Sequence, residues 1–326
     1  MKRRVALTAM AGTFIGTAGY VPFARSTGKY PDRPVKIVLS QPAGNPLDIA
    51  FRAIADLFRA STGQPLVVDN RPGGQHVIAA TNVLSAPADG YTLLASNNSM
   101  LTINPFTMPR LPYSAERNFR PIGTFAGTGM VVATLTTVPA DDLKGLLKLA
   151  AGKSESASYA TFGPSAQFLG FMLNRHANGA LLQVPFNGSP PAVQSLLAGQ
   201  VTFALVPYFA IKPHMDAGRV KVLAVSHPTR IEALPSVPTL KEAGVPDGEM
   251  LIWAGVSVRV ETPDEVCNYL NAEFKRILLS GSVQERFRHM DLVPMPSTAE
   301  EFRRLIEFDT ARWADVVRQS GFKVYQ

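Results

Sequence analysis

The sequence predicts an α/β chain folded as two lobes joined by two crossover strands. Three observations predict it. Short β-branched runs alternate with amphipathic helical runs from Val35 to Ala95, the pattern of βαβ units on a parallel sheet. The alternation starts afresh after an extended stretch at 122–137. The last third then returns to an extended segment, Ile252 to Val258, before its closing helices. A chain that crosses between lobes near 122–135 and returns near 252–258 can hinge around a ligand.

Composition narrows the function classes. The chain has 326 residues, 46% hydrophobic and 17% charged, enough for two cored domains. Its formal charge of +7 invites a nucleic-acid reading. Residues 1–29, however, hold five of the 32 basic side chains and no acid, leaving 27 against 25. With no basic stripe beyond that leader, no nucleic-acid partner is expected. Lys2-Arg3-Arg4 followed by the apolar run Val5 to Gly19 has the form of a secretory signal, too short for a membrane span. Cleavage after Ala18 and after Ala24 are both open. We expect an exported, periplasmic protein. The single cysteine, Cys267, reads as a small buried side chain. The five histidines show no ligand spacing, so no metal or other cofactor is expected.

The elements follow in order. Val35 to Leu39 is a strand, Ser40 to Asn45 a tight turn, and Pro46 to about Ser61 a helix with Ala50, Ala53, Ile54, Leu57 and Phe58 on one face. Gly44 permits backbone angles other residues resist, and Pro46 suits the first helical position. Such a junction aims backbone N–H groups and the positive helix end at one spot, which favours a carboxylate or phosphate. A short strand at Leu66–Val68, a turn at Asn70–Gly74 and a helix to about Ser85 come next. The strand Tyr91–Ala95 leads to a polar loop, Ser96-Asn97-Asn98-Ser99, and a Pro-rich surface stretch from Asn104 to Pro121. After the extended stretch, Asp141 or Asp142 caps a helix with Leu143, Leu146, Leu147 and Ala150 inward. The strand Ser158–Thr161 meets a second turn-into-helix junction, Phe162 to Ala166, again with Gly and an early helical Pro. Strands at 181–184, 201–206 and 220–225 alternate with helices. The final helix starts with a capping box at Thr298–Glu301 and carries Phe302, Leu305, Ile306, Phe308, Trp313 and Val317 towards a sheet.

These pieces resemble the Bug/TctC family of extracytoplasmic solute-binding receptors of tripartite tricarboxylate transporters. The resemblance rests on Tyr30-Pro31-Asp32-Arg33-Pro34, Asn70-Arg71-Pro72-Gly73-Gly74, Ala88 to Leu94, Ile103-Asn104-Pro105, Val184 to Pro190, Leu197 to Val201, Pro213-His214, Leu234 to Thr239 with Glu242 to Pro246, and Arg312-Trp313, in that order. It implies a type II-like, Venus-flytrap periplasmic binding protein closing over a small organic carboxylate. It implies lobe 1 from 30–125 plus 255–326 and lobe 2 from 126–254, a monomer that delivers its ligand to membrane permease subunits, and no enzymatic activity. It also places the ligand between two turns. The implied binding residues are Gln41, Ala43, Gly44, Asn45 and Asp48 in the first turn, Ser96 and Asn97 in the following loop, Thr161, Phe162, Gly163, Ser165 and Ala166 in the second turn, and Val206 and Pro207 beyond.

The chain departs from the family pattern at Gln41, Ala43 and Asn45, and its second turn is a residue shorter. Val206 stands where an Asp is common, which argues against an amino-acid ligand. Phe162, Tyr208 and Phe209 could line a more apolar pocket, pointing towards an aliphatic or aromatic carboxylate. Asp48 either caps its helix or touches ligand, and Phe162, Tyr208 and Phe209 either pack or line the cleft. A sensor feeding a signalling kinase and a periplasmic hydrolase or isomerase are the alternatives. No Gly-x-Ser-x-Gly elbow or P-loop supports the latter.

Overall fold

A computed structural model describes residues 30–151, 157–290 and 292–320. The expected leader at 1–29 lies outside them. Its strands are β1 (Val35–Leu39), β2 (Leu66–Asn70), β3 (Thr92–Asn97), β4 (Phe119–Leu135), β5 (Ala157–Phe162), β6 (Leu181–Phe186), β7 (Phe203–Pro207), β8 (Val220–Val225), β9 (Leu251–Arg259) and β10 (Val293–Pro294). The α-helices are α1 (Pro46–Thr62), α2 (Val77–Leu84), α3 (Asn104–Thr107), α4 (Ala115–Asn118), α5 (Leu143–Ala151), α6 (Gly163–His176), α7 (Ser189–Leu197), α8 (Tyr208–Asp216), α9 (Asp264–Leu278), α10 (Gly281–His289) and α11 (Ala299–Ser320).

Two lobes share one wiring. In the first, β1 pairs in parallel with β2 and β3, and β3 pairs antiparallel with β9. In the second, β5 pairs in parallel with β6 and β7, and β7 pairs antiparallel with the second half of β4. The first half of β4 lies antiparallel to β9, and its second half to β8. One long strand therefore serves both sheets. The C-terminal ends of β1 and β3, and of β5 and β7, are where such sheets bind ligands.

Both faces of each sheet are covered, as parallel strands require. Phe51, Ile54 and Phe58 of α1 join Leu270, Phe274 and Phe287 of α9 and α10 in one core. The Phe51 and Phe125 rings stack there at 3.9 Å. Ala80 and Val83 of α2 join Trp253 and Phe302 on the other face. In the second lobe α5 and α6 cover one face, and α7 and α8 the other.

Helix α11 bridges the lobes. Its capping box forms as expected: the Thr298 amide donates to Glu301 Oε2 at 2.8 Å, and the Glu301 amide to Thr298 Oγ1 at 3.1 Å. Phe302 then seats edge-on against Trp253, with ring centroids 5.2 Å apart. Three turns later Trp313 meets Phe168 of α6 at 3.8 Å, and Arg312 Nη2 donates to the Asp247 carbonyl at 2.8 Å. The expected apolar face is only partly inward: Phe308 is exposed, because a helix passing between two cores turns that side to solvent. Phe302 approaches the β9 backbone so closely that a Cβ on Gly255 would fall 2.3 Å from its Cζ. Gly255→Ala is therefore expected to cost about 1–3 kcal/mol by overpacking, read from the midpoint of urea unfolding.

Two stretches differ from the expectation. Ser96 and Asn97 close β3 instead of opening a loop, and Ser99–Ile103 forms a buried π-helical turn. The Pro-rich stretch is not all surface, since Asn104 is fully buried and holds the Gln75 carbonyl through Nδ2 at 2.7 Å.

Candidate ligand-binding site

The first junction is a turn held by its own carboxylate. Gly44 adopts φ +82°, a left-handed conformation that glycine takes without penalty. Its amide donates to Asp48 Oδ2 at 2.9 Å, and Asn45 Oδ1 caps the helix by accepting the Leu47 amide at 3.1 Å. Asp48 Oδ1 also accepts from Arg52 Nε at 3.0 Å and Asn70 Nδ2 at 3.1 Å. Burial alone would raise the Asp48 pKa. The hydrogen bonds from Arg52, the Gly44 amide and Asn70 outweigh it and hold the carboxyl below its usual value of 3.8.

The sign of the pH dependence follows. A lowered folded pKa contributes stability above the unfolded value and loses it as pH falls through the folded value. Asp48→Ala is expected to lower unfolding free energy by about 2 kcal/mol at neutral pH. The deficit should shrink as pH falls below 3.8, and urea titrations across that range measure it.

The second junction is more open. Gly163 adopts φ +62°, and no atom lies within 4 Å of where its Cβ would stand. Phe162 occupies the N-cap of α6 and makes no side-chain capping bond. The amides at this helix start thus keep capacity for an anion that the Asn45 cap partly takes up at the first junction.

A polar segment after β3 links the two. Asn97 Nδ2 donates to Ser40 Oγ at 3.4 Å, and Asn97 Oδ1 accepts the Met100 amide at 2.9 Å. Asn98 Nδ2 donates to Ser165 Oγ at 3.1 Å, and the Ser99 and Ser165 hydroxyls lie 2.9 Å apart. The first turn, the β3 end and the second turn therefore form one polar chain across the lobes. Among the described residues, Gln41 Oε1, Asn98 Oδ1 and Thr161 Oγ1 are buried side-chain atoms along this chain without a partner. Buried polar groups left unpaired cost free energy, so their gathering here marks a place for water or ligand.

Other implied residues sit differently. Ala43 and Gly44 are exposed at the turn tip. Ser96 is fully buried, and its hydroxyl lies 2.8 Å from that of Ser257 in β9. Ala166 and Val206 are fully buried among core side chains, and Pro207 lies opposite Met130 in β4. Tyr208 is buried too, and Phe162 is half-buried against the cores on both faces of its sheet. Sequence alone does not single out Ser40 and Ser99; only their place in polar runs beside strand ends signals them. Just past the turn at Asn70–Gly74, Gln75 (φ 51°) and His76 (φ 77°) hold left-handed backbone that sequence alone does not signal.

A family model described as the tripartite tricarboxylate transporter family receptor matches residues 50–322. The chain belongs to this receptor family. TctC-type receptors are periplasmic solute-binding proteins, and the role this implies is binding and transport, not catalysis. Protein BugT of Bordetella pertussis is 31% identical over 321 residues, covering 98% of both chains. Among solved structures, Rpa4515 of R. palustris with adipate superposes with a TM-score of 0.82 at 27% identity, covering 90% of this chain and 99% of that one. MatC of Rhodopseudomonas palustris with bound malate gives 0.78 at 26%, covering 88% and 100%.

Proposed function

We propose that this receptor captures a small organic carboxylate in the periplasm and delivers it to the membrane permease subunits of a tripartite tricarboxylate-type transporter. The observation that carries this reading is the polar chain from Ser40 through Asn97, Asn98 and Ser99 to Ser165, which joins two glycine-bearing strand-to-helix turns. The ligand carboxylate faces the uncapped start of α6, and Gln41, Asn98 and Thr161 meet it directly or through water. The remaining residues of the two turns, Ala43, Gly44, Asn45, Phe162 and Gly163, shape the space around it. Asp48 acts by holding the first turn, not by touching the ligand, since its oxygens already accept three donors.

In this reading lobe 1 comprises 30–125 and 255–326, lobe 2 comprises 126–254, and the receptor is a monomer. Closure is favoured by contacts available only when both lobes engage the ligand. Related receptors with adipate and malate support the ligand class.

The test is a thermal-shift screen of the full chain against mono-, di- and tricarboxylates. A ligand at about 100 times its Kd should stabilise the fold by about 2.7 kcal/mol and raise the melting temperature. A ligand recovered chemically unchanged after prolonged incubation accords with binding alone. If no carboxylate shifts the transition, the proposal fails.

A further inference from the structure

Lobe 2 meets the proposed ligand with the start of α6, yet α6 is anchored by residues of the other lobe. Ile103, which ends the π-helical turn, and Trp313 of α11 are each 1% exposed. By the lobe assignment above both belong to lobe 1, but both lie in the core that holds Phe168, Leu169, Met172 and Leu173 of α6. The π-helical turn lies against α6 and α11 alike. Phe168 follows Ser165 by three residues on one face of α6. The ring that meets Trp313 at 3.8 Å is thus a single turn from the hydroxyl that meets Asn98 and Ser99.

A second anchor holds the far end of α6. Asp247 sits in the short turn Pro246–Gly248. Its carboxylate lies 2.8 Å from His176 Nε2 and 3.6 Å from Arg175 Nη1, in the last turn of α6. Its carbonyl accepts from Arg312 Nη2 of α11 at 2.8 Å. A helix held at one point can pivot about it. Two anchors along the body of α6 fix its direction as well as its place.

We propose that Arg312 and Trp313 are positioning residues for the ligand: they set where the uncapped start of α6 stands relative to the first turn. This rests on the carboxylate reading above. Phe302 ties one end of α11 to Trp253 in the lobe 1 core, and the helix runs unbroken to Trp313. Those eleven residues span roughly 16 Å of stiff rod, which carries the lobe 1 frame to α6. The indole N–H adds nothing to the anchor, because Trp313 Nε1 is buried without a partner among the described residues. What Trp313 contributes is the reach of its ring, so Trp313→Phe shortens the anchor and deletes no hydrogen bond.

Benzoate, adipate and citrate are the probes, titrated calorimetrically into the full chain and four variants. Arg312→Ala and Trp313→Phe each weaken one anchor. Arg312→Lys returns a single donor, which is all the Asp247 carbonyl takes from Arg312. Phe58→Leu thins the core under α1 and leaves α6 untouched, so it controls for lost stability alone. Melting without ligand confirms that each variant is folded. Affinity for the tightest probe should fall about fivefold or more in Arg312→Ala and in Trp313→Phe. It should stay within about twofold of the unmodified chain in Arg312→Lys and Phe58→Leu. Without ligand, amide exchange at 163–168 should quicken in Arg312→Ala and Trp313→Phe while that at 46–51 of α1 holds. Any other pattern among the variants overturns the proposal and leaves the carboxylate reading standing. No binding to the unmodified chain overturns that reading and this proposal with it.

Discussion

Gly163→Trp is expected to abolish carboxylate binding while leaving the receptor folded. The position has φ +62° and open space where a side chain would start. Any L-residue there pays about 1–2 kcal/mol for the left-handed backbone. That is survivable for a domain of ordinary stability. Gly163→Ala carries the same strain with almost no bulk, so it separates strain from obstruction. The indole of the Trp variant, by contrast, stands over the start of α6 between the two turns. The thermal shift produced by the best carboxylate of the screen should vanish in Gly163→Trp and survive in Gly163→Ala. Equal shifts in both variants would place the ligand elsewhere.

The second large effect concerns stability. Trp253→Ala should lower the unfolding free energy by about 3–5 kcal/mol. Trp253 is 1% exposed, packs edge-on against Phe302 and donates Nε1 to Asp309 Oδ2 at 2.6 Å. Burial pushes the Asp309 pKa above its usual 3.8, and the Trp253 hydrogen bond and the Arg312 charge pull against that rise. A carboxyl with a raised folded pKa contributes stability that is full below the unfolded value and lost as pH rises through the folded value. Removing the indole raises the folded pKa further. The variant's deficit should therefore be larger at neutral pH than near pH 3.8, below the raised folded pKa, where Asp309 is already protonated in the native state. Trp253→Phe keeps an aromatic ring but deletes the donor. It isolates the hydrogen-bond loss, expected at about 1–3 kcal/mol. A deficit that does not change with pH would detach Asp309 from the effect.

Much of the architecture is legible in the sequence because local chemistry and tertiary need coincide. Gly44 with Pro46, and Gly163 with Pro164, mark strand-to-helix junctions that form at those positions. Thr298 and Glu301 signal a helix start that the backbone amides confirm. Polarity misleads where burial is decided by distant partners. Ser96 to Ser99 read as a polar loop, yet their side chains hydrogen-bond to Ser257, Ser40 and Ser165, remote in sequence. Asn104 read as surface for the same reason, and its partner is the strained turn at Gln75. Val293 and Pro294 form a two-residue edge strand too short to have any period. The balance between the junctions was hidden as well. Asn45 caps one helix while Phe162 leaves the other uncapped, and only the hydrogen-bond geometry distinguishes them.

The bridging helix α11 follows the ten strands of the described residues in chain order. Both sheets can therefore emerge from the ribosome and collapse before the segment that ties Trp253 to Phe168 exists. Phe302 and Trp313 can dock only once every strand of both sheets has been made, and they fasten halves that β4 and β9 already connect. A chain halted before Ala299 would keep every strand yet lack the fastening that gives the pair a common frame.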